Sequence, residues 1–262
     1  MDLVDSLGER VKDSLQLSAI IPVRNRSDDR LENCLRALRW QDLPSENYEL
    51  LISDFGSSPE EALRTREMAA TYGARIIRTD TDEIWNKSRA LNVAIREAEG
   101  HYVFCTDVDM IFEPNFLSTL LSVQEENDDK ALAVCRCRDL PESVSERIWS
   151  RDDYPRLKSQ GMFRKNWGGS GACQMALKSF FYEVRGYDEN YKFWGMEDND
   201  MKYRAARFGL KVAWIQERTS MLHQWHPSDR GKKPLSKLIN DLRFYITRYR
   251  VKKNRKIWGG RA

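Results

Sequence analysis

In Tyr102-Val-Phe-Cys-Thr-Asp-Val-Asp-Met-Ile-Phe112 an apolar run delivers two carboxylates, Asp107 and Asp109. In an extended segment, side chains two apart project to the same side, so both acids can face one cation or the diphosphate that the cation binds. The plain alternative is a turn with two solvated acids, because Asp-x-Asp triplets are common and a divalent site needs further ligands. Such ligands are available in Met221-Leu-His-Gln-Trp-His-Pro227, which holds two of the three histidines. His223 or His226 can complete a metal site with Asp109, since imidazole plus carboxylate suits Mn²⁺ and similar ions. The third histidine, His101, opens a strand and reads as structural.

A second acidic group, Glu197, Asp198 and Asp200, follows a Trp194-Gly195 turn and opens a helix over Met201–Phe208. Acids at a helix N-terminus are favoured by its dipole, by ~0.3–1 kcal/mol each, so capping is the plain reading. Three acids exceed what one cap requires.

These groups need elements to hold them. Leu17–Val23 is a β-branched apolar run that ends in Arg24-Asn-Arg-Ser-Asp28, and Leu31, Cys34, Leu35 and Leu38 then recur at helical spacing. Tyr48–Asp54 repeats the strand, Phe55-Gly-Ser-Ser-Pro59 makes the turn, and a helix follows over residues 60–72. A third strand (74–78), a helix (87–99) and a fourth strand (102–106) continue the alternation; beyond Pro114 come a helix to about residue 125 and strands at 131–137 and 211–215. This order predicts an α/β fold with a mainly parallel sheet covered by helices on both faces, whose ligands sit at the carboxyl ends of the strands. Arg24, Asp54, Asp107 and Asp109 each follow the last apolar residue of a strand. Residues 138–164 are charged with few periodic apolar positions, which suits a surface excursion over the site.

Composition sets the bounds. The 262 residues, 41% hydrophobic, suffice for one large domain with an appendage. A formal charge of +3 does not point to nucleic acid. Five cysteines, an odd number, fit a reduced compartment, and Cys135-Arg-Cys137 lacks the second pair a zinc site needs. No stretch reaches the ~18 apolar residues of a membrane span, and the first residues lack a signal pattern. The expectation is a soluble, cytoplasmic protein. Neither a Gly-x-Gly-x-x-Gly after the first strand nor a P-loop is present, so bound phosphates would need a metal and basic side chains.

Together these segments resemble glycosyltransferases of the GT-A fold, a Rossmann-like nucleotide-sugar transferase architecture. The likeness is to the inverting family 2 enzymes, with a C-terminal half similar to the β-1,4-galactosyltransferases. It runs over roughly residues 17–227 and rests on Ile21-Pro-Val-Arg-Asn25, Asp54, Asn86-Lys-Ser-Arg-Ala-Leu-Asn92, Asp107-Val-Asp109, Gly168-Gly-Ser-Gly-Ala172 and Trp194-Gly-Met-Glu-Asp198. The resemblance implies a UDP-sugar donor, a carbohydrate or glycoconjugate acceptor and Mn²⁺ or Mg²⁺. It implies that Pro22, Arg24, Asp54, Arg89, Asp107, Val108, Gly169 and Trp194 line the nucleotide-sugar site, with Asp54 facing the uracil. Asp107 then contacts the ribose or the metal's waters, and Asp109 binds the metal with His223 or His226. Asp198 becomes the base that activates the acceptor hydroxyl, with Glu197 beside it, while Asp200 and Trp167 bind the acceptor. Where the galactosyltransferases carry Trp-Gly-Trp-Gly-Gly-Glu-Asp, this chain has Phe193-Trp-Gly-Met196 before its acids, so their donor preference does not transfer.

Three alternatives stand beside the inverting transferase. They are a retaining transferase on the same fold, a nucleotidyltransferase, which would bring a Gly-rich basic loop that is absent here, and a non-catalytic nucleotide-sugar-binding module. The arm at 1–16 and the loop and tail at 228–262 flank the domain. Ser228–Lys233 reads as a lid over the donor. Leu235, Leu238, Ile239, Leu242, Phe244, Tyr245, Ile246 and Tyr249 form a helical apolar face in a basic stretch. That face either packs on the domain or makes a peripheral contact with a protein or with the inner face of a membrane.

Overall fold

The computed structural model describes residues 15–144, 147–164, 169–193, 195–227 and 234–260. The expectations for the arm before residue 15, for Trp167 and Trp194, and for the loop at 228–233 lie outside these residues.

Alternation of strand and helix is realised over the first half of the chain. β1 (Leu17–Val23), α1 (Asp29–Arg39), β2 (Tyr48–Phe55), α2 (Pro59–Thr71), β3 (Arg75–Thr79), α3 (Lys87–Glu97) and β4 (Tyr102–Cys105) follow one another. Then come β5 (Met110–Phe112), α4 (Phe116–Glu125), β6 (Ala131–Val134), β7 (Cys137–Asp139), α5 (Tyr154–Gln160), β8 (Met162–Phe163) and β9 (Gln174–Leu177). The chain closes with α6 (Lys178–Glu183), α7 (Glu197–Phe208), β10 (Lys211–Trp214), β11 (Met221–His223) and α8 (Pro234–Thr247).

A large sheet in the order β10-β6-β9-β4-β1-β2-β3 forms the centre, parallel except for β9, which runs antiparallel to β4 and β6. Because successive strand residues face opposite ways, Leu17, Ala19, Ile21 and Val23 of β1 enter one core with Leu31, Leu35 and Leu38 of α1, and Ile20 enters the other with Leu91, Ala94 and Ile95 of α3. Helices therefore cover both faces. All five cysteines are free and buried within these cores.

A second, four-stranded sheet, β5-β11-β7-β8, departs from the sequence reading. Residues 131–137 read as one strand, yet the chain leaves the large sheet after Val134 and joins the small one at Cys137. Both halves are apolar, so composition carries no mark of the switch. The small sheet sets the register of the site: His223 is opposite Met110 on one side and Asp139 on the other. Phe104 and Phe112, before and after the two acids, meet edge to face at 5.7 Å, and both touch Phe116. Such pairs add ~0.5–1.5 kcal/mol each beyond their burial, and here they pin both ends of the 107–109 turn.

The charged stretch after residue 138 is more than a surface excursion. Trp149, Tyr154 and Leu157 are buried, and Asn33 of α1 accepts from Trp149 N at 2.8 Å and donates to Arg147 O at 2.7 Å. Few anchors, unevenly spaced, give no periodic signal. The tail corrects the other expectation: α8 does pack on the domain, but through Asn240, Phe244 and Thr247. Of the apolar residues read from its sequence, only Phe244 is buried.

Candidate active site

The two acids that opened the sequence reading do not share a direction. The chain turns at Val108 and Asp109 rather than staying extended, and each acid meets different partners. Thr106 fixes the approach by donating to Ala172 O at 2.8 Å, and Gln224 N donates to Asp109 O at 2.9 Å. Val108, between the acids, packs against the core.

Asp109 faces both histidines. Its Oδ2 lies 3.1 Å from His226 Nε2 and 3.6 Å from His223 Nε2. Asp139 Oδ1 accepts from His223 Nδ1 at 2.9 Å, which turns Nε2 towards Asp109. Arg164 holds Asp139 in a two-point pair at 2.6 and 2.7 Å. Burial works against the Asp109 carboxylate, but hydrogen bonds and charge from His223 and His226 outweigh it and hold the carboxyl well below its usual range. For His223, burial disfavours the imidazolium, Asp109 and Asp139 favour it, and the balance raises it to about 9.

The residues fit a divalent cation. Asp109, His223 and His226 offer ligand atoms all within 4.8 Å of one another. In addition, Asp109 Oδ1 is buried without a hydrogen-bond partner, an orphan that a cation would satisfy. One carboxylate and two imidazoles suit Mn²⁺ better than Mg²⁺, which prefers oxygen.

Asp107 turns instead to Lys87, whose Nζ lies 2.6 Å from Asp107 Oδ1 and 3.3 Å from Asp198 Oδ1. The lysine is 12% exposed; burial opposes its charge, but Asp107, Asp198 and Glu197 raise its pKa well above the usual range. Lys87 opens α3, where Asn86 caps the helix by accepting from Arg89 N at 3.0 Å. Asn86 also donates to Glu189 O, while Asn92 donates to Tyr187 O and accepts from Tyr187 N, at 2.7–2.8 Å. The Asn86–Asn92 segment thereby fixes the approach to α7.

At the start of α7, Met196 adopts a left-handed conformation (φ +74°). Asp198 then faces Lys87, and Glu197, 8% exposed, lines a crevice with Lys87, Tyr191, Lys192 and Phe193. Burial raises Asp198 most; Lys87 and Lys202 lower it, Glu197 and Asp107 raise it, and the carboxyl is pushed up to about 8. Gly171 allows this position, since a Cβ there would stand 2.0 Å from Asp198 Oδ2. Gly169, at φ +81°, crosses Cys137 closely, and its carbonyl accepts from Cys137 N at 2.8 Å.

Asp200 is a correction. It is fully buried, paired with Lys253 and 3.6 Å from Arg204, and accepts from Tyr191 Oη at 3.3 Å. It cannot meet an acceptor. Two residues on a helix lie about 200° apart, so Asp198 and Asp200 necessarily point to different sides.

At the strand ends nearer the N-terminus, Pro22 is buried in β1 opposite Ser53. Asp54 is 1% exposed, accepts from Ser57 N at 3.1 Å and pairs with Arg78. Arg24 donates to the backbone oxygen of Glu83, and Arg89 pairs with the Glu83 carboxylate at 2.9 Å. Glu83 thus links two of the expected basic groups. Sequence reasoning missed Lys87, Asp139, Arg164 and Glu83. Lys87 lay inside a motif already singled out, and Asp139 ends a strand; Arg164 and Glu83 carry no comparable signal.

Among known proteins, residues 155–226 match the N-terminal domain of galactosyltransferase. A relative named undecaprenyl-phosphate 4-deoxy-4-formamido-L-arabinose transferase, from Edwardsiella ictaluri, is 26% identical over 113 residues, 43% of this chain and 35% of its own length. A dolichyl N-acetyl-alpha-D-glucosaminyl phosphate 3-beta-D-2,3-diacetamido-2,3-dideoxy-beta-D-glucuronosyltransferase from Methanococcus voltae is 26% identical over 186 residues, 71% of this chain and 53% of its own. The chain thus spans between a third and about half of these relatives. The solved structure of GalNAc-T7 with UDP, GalNAc and Mn²⁺ superposes with a TM-score of 0.68 at 15% identity, over 91% of this chain and 49% of that one, a likeness that establishes the GT-A fold. Residues 18–185, which carry most of the large sheet and the Asp107–Asp109 turn, match the pattern of glycosyl transferase family 2, and to that family the chain belongs.

Proposed function

We propose that the chain transfers a sugar from a UDP-sugar to an acceptor hydroxyl with inversion at the anomeric carbon, its metal held by Asp109, His223 and His226. The observation that carries this reading is the Lys87 bridge: one ammonium joins Asp107 of the donor turn to Asp198 at the start of α7, so donor and acceptor acids border one space. Pro22, Arg24, Asp54, Arg89, Asp107, Val108 and Gly169 form the donor side, and Glu197 binds a substrate hydroxyl. A divalent ion there supplies charge stabilisation to the departing diphosphate.

Asp198 takes the acceptor proton as the acceptor oxygen bonds to the anomeric carbon. The carbon–phosphate-oxygen bond breaks with its electron pair leaving on UDP. The raised Asp198 carboxyl suits a base that must hold the proton it receives. A single base and direct displacement give inversion. The relatives' names, with undecaprenyl phosphate in one and a dolichyl-phosphate-linked sugar in the other, support a glycoconjugate acceptor, as used in polysaccharide or glycoconjugate assembly.

Calorimetry of UDP with Mn²⁺, followed by a nucleotide-sugar screen, tests the reading. The expected result is Mn²⁺-dependent UDP binding and turnover of one UDP-sugar, with proton NMR showing the inverted anomer in fresh product. Absence of metal-dependent UDP binding overturns the proposal. Binding without turnover of any sugar would leave a binding module, and the retained anomer would reject inversion.

A further inference from the structure

Helix α8 meets the body of the protein with its less apolar side. Asn240 donates to Lys192 O at 2.9 Å, Arg243 makes a two-point pair with Asp188 at 2.7 and 2.9 Å, and Phe244 meets Tyr203 edge-on at 5.2 Å. Beyond the helix, Lys253 pairs with Asp200, and Asn254 donates to Arg185 O at 2.6 Å and to Tyr187 O. These directional anchors fix the rotation of the helix about its axis.

The opposite side therefore faces outward. On it Leu235, Leu238, Ile239, Leu242, Tyr245, Ile246 and, just past the helix end, Tyr249 recur at three- and four-residue spacing, each 53–73% exposed. Scattered exposed apolar residues are ordinary, but a continuous stripe of seven marks an interaction surface.

We propose that this face docks α8 flat on an anionic lipid bilayer. Charge complementarity selects that occupant. Of the eight Lys or Arg from Pro234 to Gly260, Lys237, Arg243 and Lys253 are paired with Asp241, Asp188 and Asp200, so the outward charge is carried by the others. Arg250, Lys252, Arg255 and Lys256 are exposed, and Arg248 lies over the Tyr245 and Tyr249 rings at 5.5 and 5.1 Å. An apolar stripe with aromatic edges and a basic fringe is the pattern of an interfacial helix. A second copy of the chain would bring two basic fringes together, and 14 residues make a short seam for a paired coil. Because Asn240 is bonded to Lys192, a lining residue of the Glu197 crevice, docking holds that crevice within about a helix diameter of the bilayer.

The test is sedimentation of the full chain with phosphatidylcholine vesicles, with and without phosphatidylglycerol, alongside light scattering for oligomeric state. The wild type is expected to pellet with the anionic vesicles, less so at high salt. Leu238→Ser/Leu242→Ser/Ile246→Ser should lower partitioning by more than about tenfold with unchanged melting. Arg250→Glu/Arg255→Glu/Lys256→Glu, which leaves the stripe intact, should weaken binding to anionic vesicles alone. The proposal is overturned if the wild type stays in the supernatant with anionic vesicles, if the triple serine variant pellets equally well, or if the stripe proves to be a dimer contact that the same variant dissolves.

Discussion

Asp109 and Asp198 are the same side chain in two halves of one site, yet their surroundings drive them in opposite directions. Asp109 is buried against two imidazoles and is held far below the ordinary carboxylate range. Asp198, partly buried beside other acids, shares its main cation with Asp107 and is pushed up to about 8. Burial raises both; the neighbours decide the sign. A carboxylate that stays ionised suits a cation, whereas one with a raised pKa suits proton transfer. The small sheet builds the first environment by register, and the N-terminus of α7 builds the second by facing the first turn of α3.

Breaking the first side should give the largest effect. Asp109→Ala removes the carboxylate that faces both histidines, so Mn²⁺-dependent UDP binding and turnover should both vanish, as calorimetry and a coupled UDP-release assay would show. Metal-dependent UDP binding of wild-type strength in this variant would remove Asp109 from the ligand set. Asp198→Asn should divide the two sides cleanly. UDP binding persists while kcat falls by roughly 10²–10⁴, the usual range for a lost general base. Near-normal turnover would send the base assignment elsewhere.

A smaller effect comes from altering the bridge. Lys87 lowers the Asp198 pKa from its first place among the opposing influences after burial. In the wild type kcat/KM should rise with pH as Asp198 loses its proton, levelling above about 8. Lys87→Met removes the cation, the carboxyl rises further, and this limb should move about one unit or more to higher pH. At pH 7 that is at least a ~10-fold loss that alkaline buffer partly restores. A profile that falls uniformly without moving would mean that Lys87 acts on the substrate and not through Asp198.

The strand–helix alternation and the acids at the strand ends were legible because periodicity and chain order carry them. Asp109, His223, His226 and Asp198 were reached through residue type and the family pattern, and the structure brings the first three together. What stayed hidden depended on register or helix rotation. Asp139 reaches His223 only because β7 lies beside β11, a pairing across more than 80 residues with no local trace. Lys87 has no local mark that separates it from an ordinary helix-surface lysine, though its place at the first turn of α3 aims it at both Asp107 and Asp198. Arg89, expected near the nucleotide, is already engaged with Glu83. The outward apolar side of α8 was invisible for a simpler reason: an amphipathic pattern shows that a face exists and not which way it turns.

The smallest effect on turnover is expected at Asp200, two residues from the base along α7 and therefore about 200° from it in direction. Arg204 donates to Val251 O and Gly186 O at 2.7 Å, and Lys253 pairs with Asp200 and donates to Thr247 at 2.7 Å, so the acid neutralises two buried cations that lock α7 to the tail. Asp200→Asn keeps the shape but leaves those cations facing each other, with Asp188 as a more distant acid. Removing one member of a buried ionic cluster costs about 3 kcal/mol or more. A lowered melting temperature with acceptor KM and kcat close to wild type is therefore the expected outcome below the melting transition. A raised acceptor KM with unchanged melting would instead give Asp200 back the acceptor role that its position in the acidic cluster first suggested.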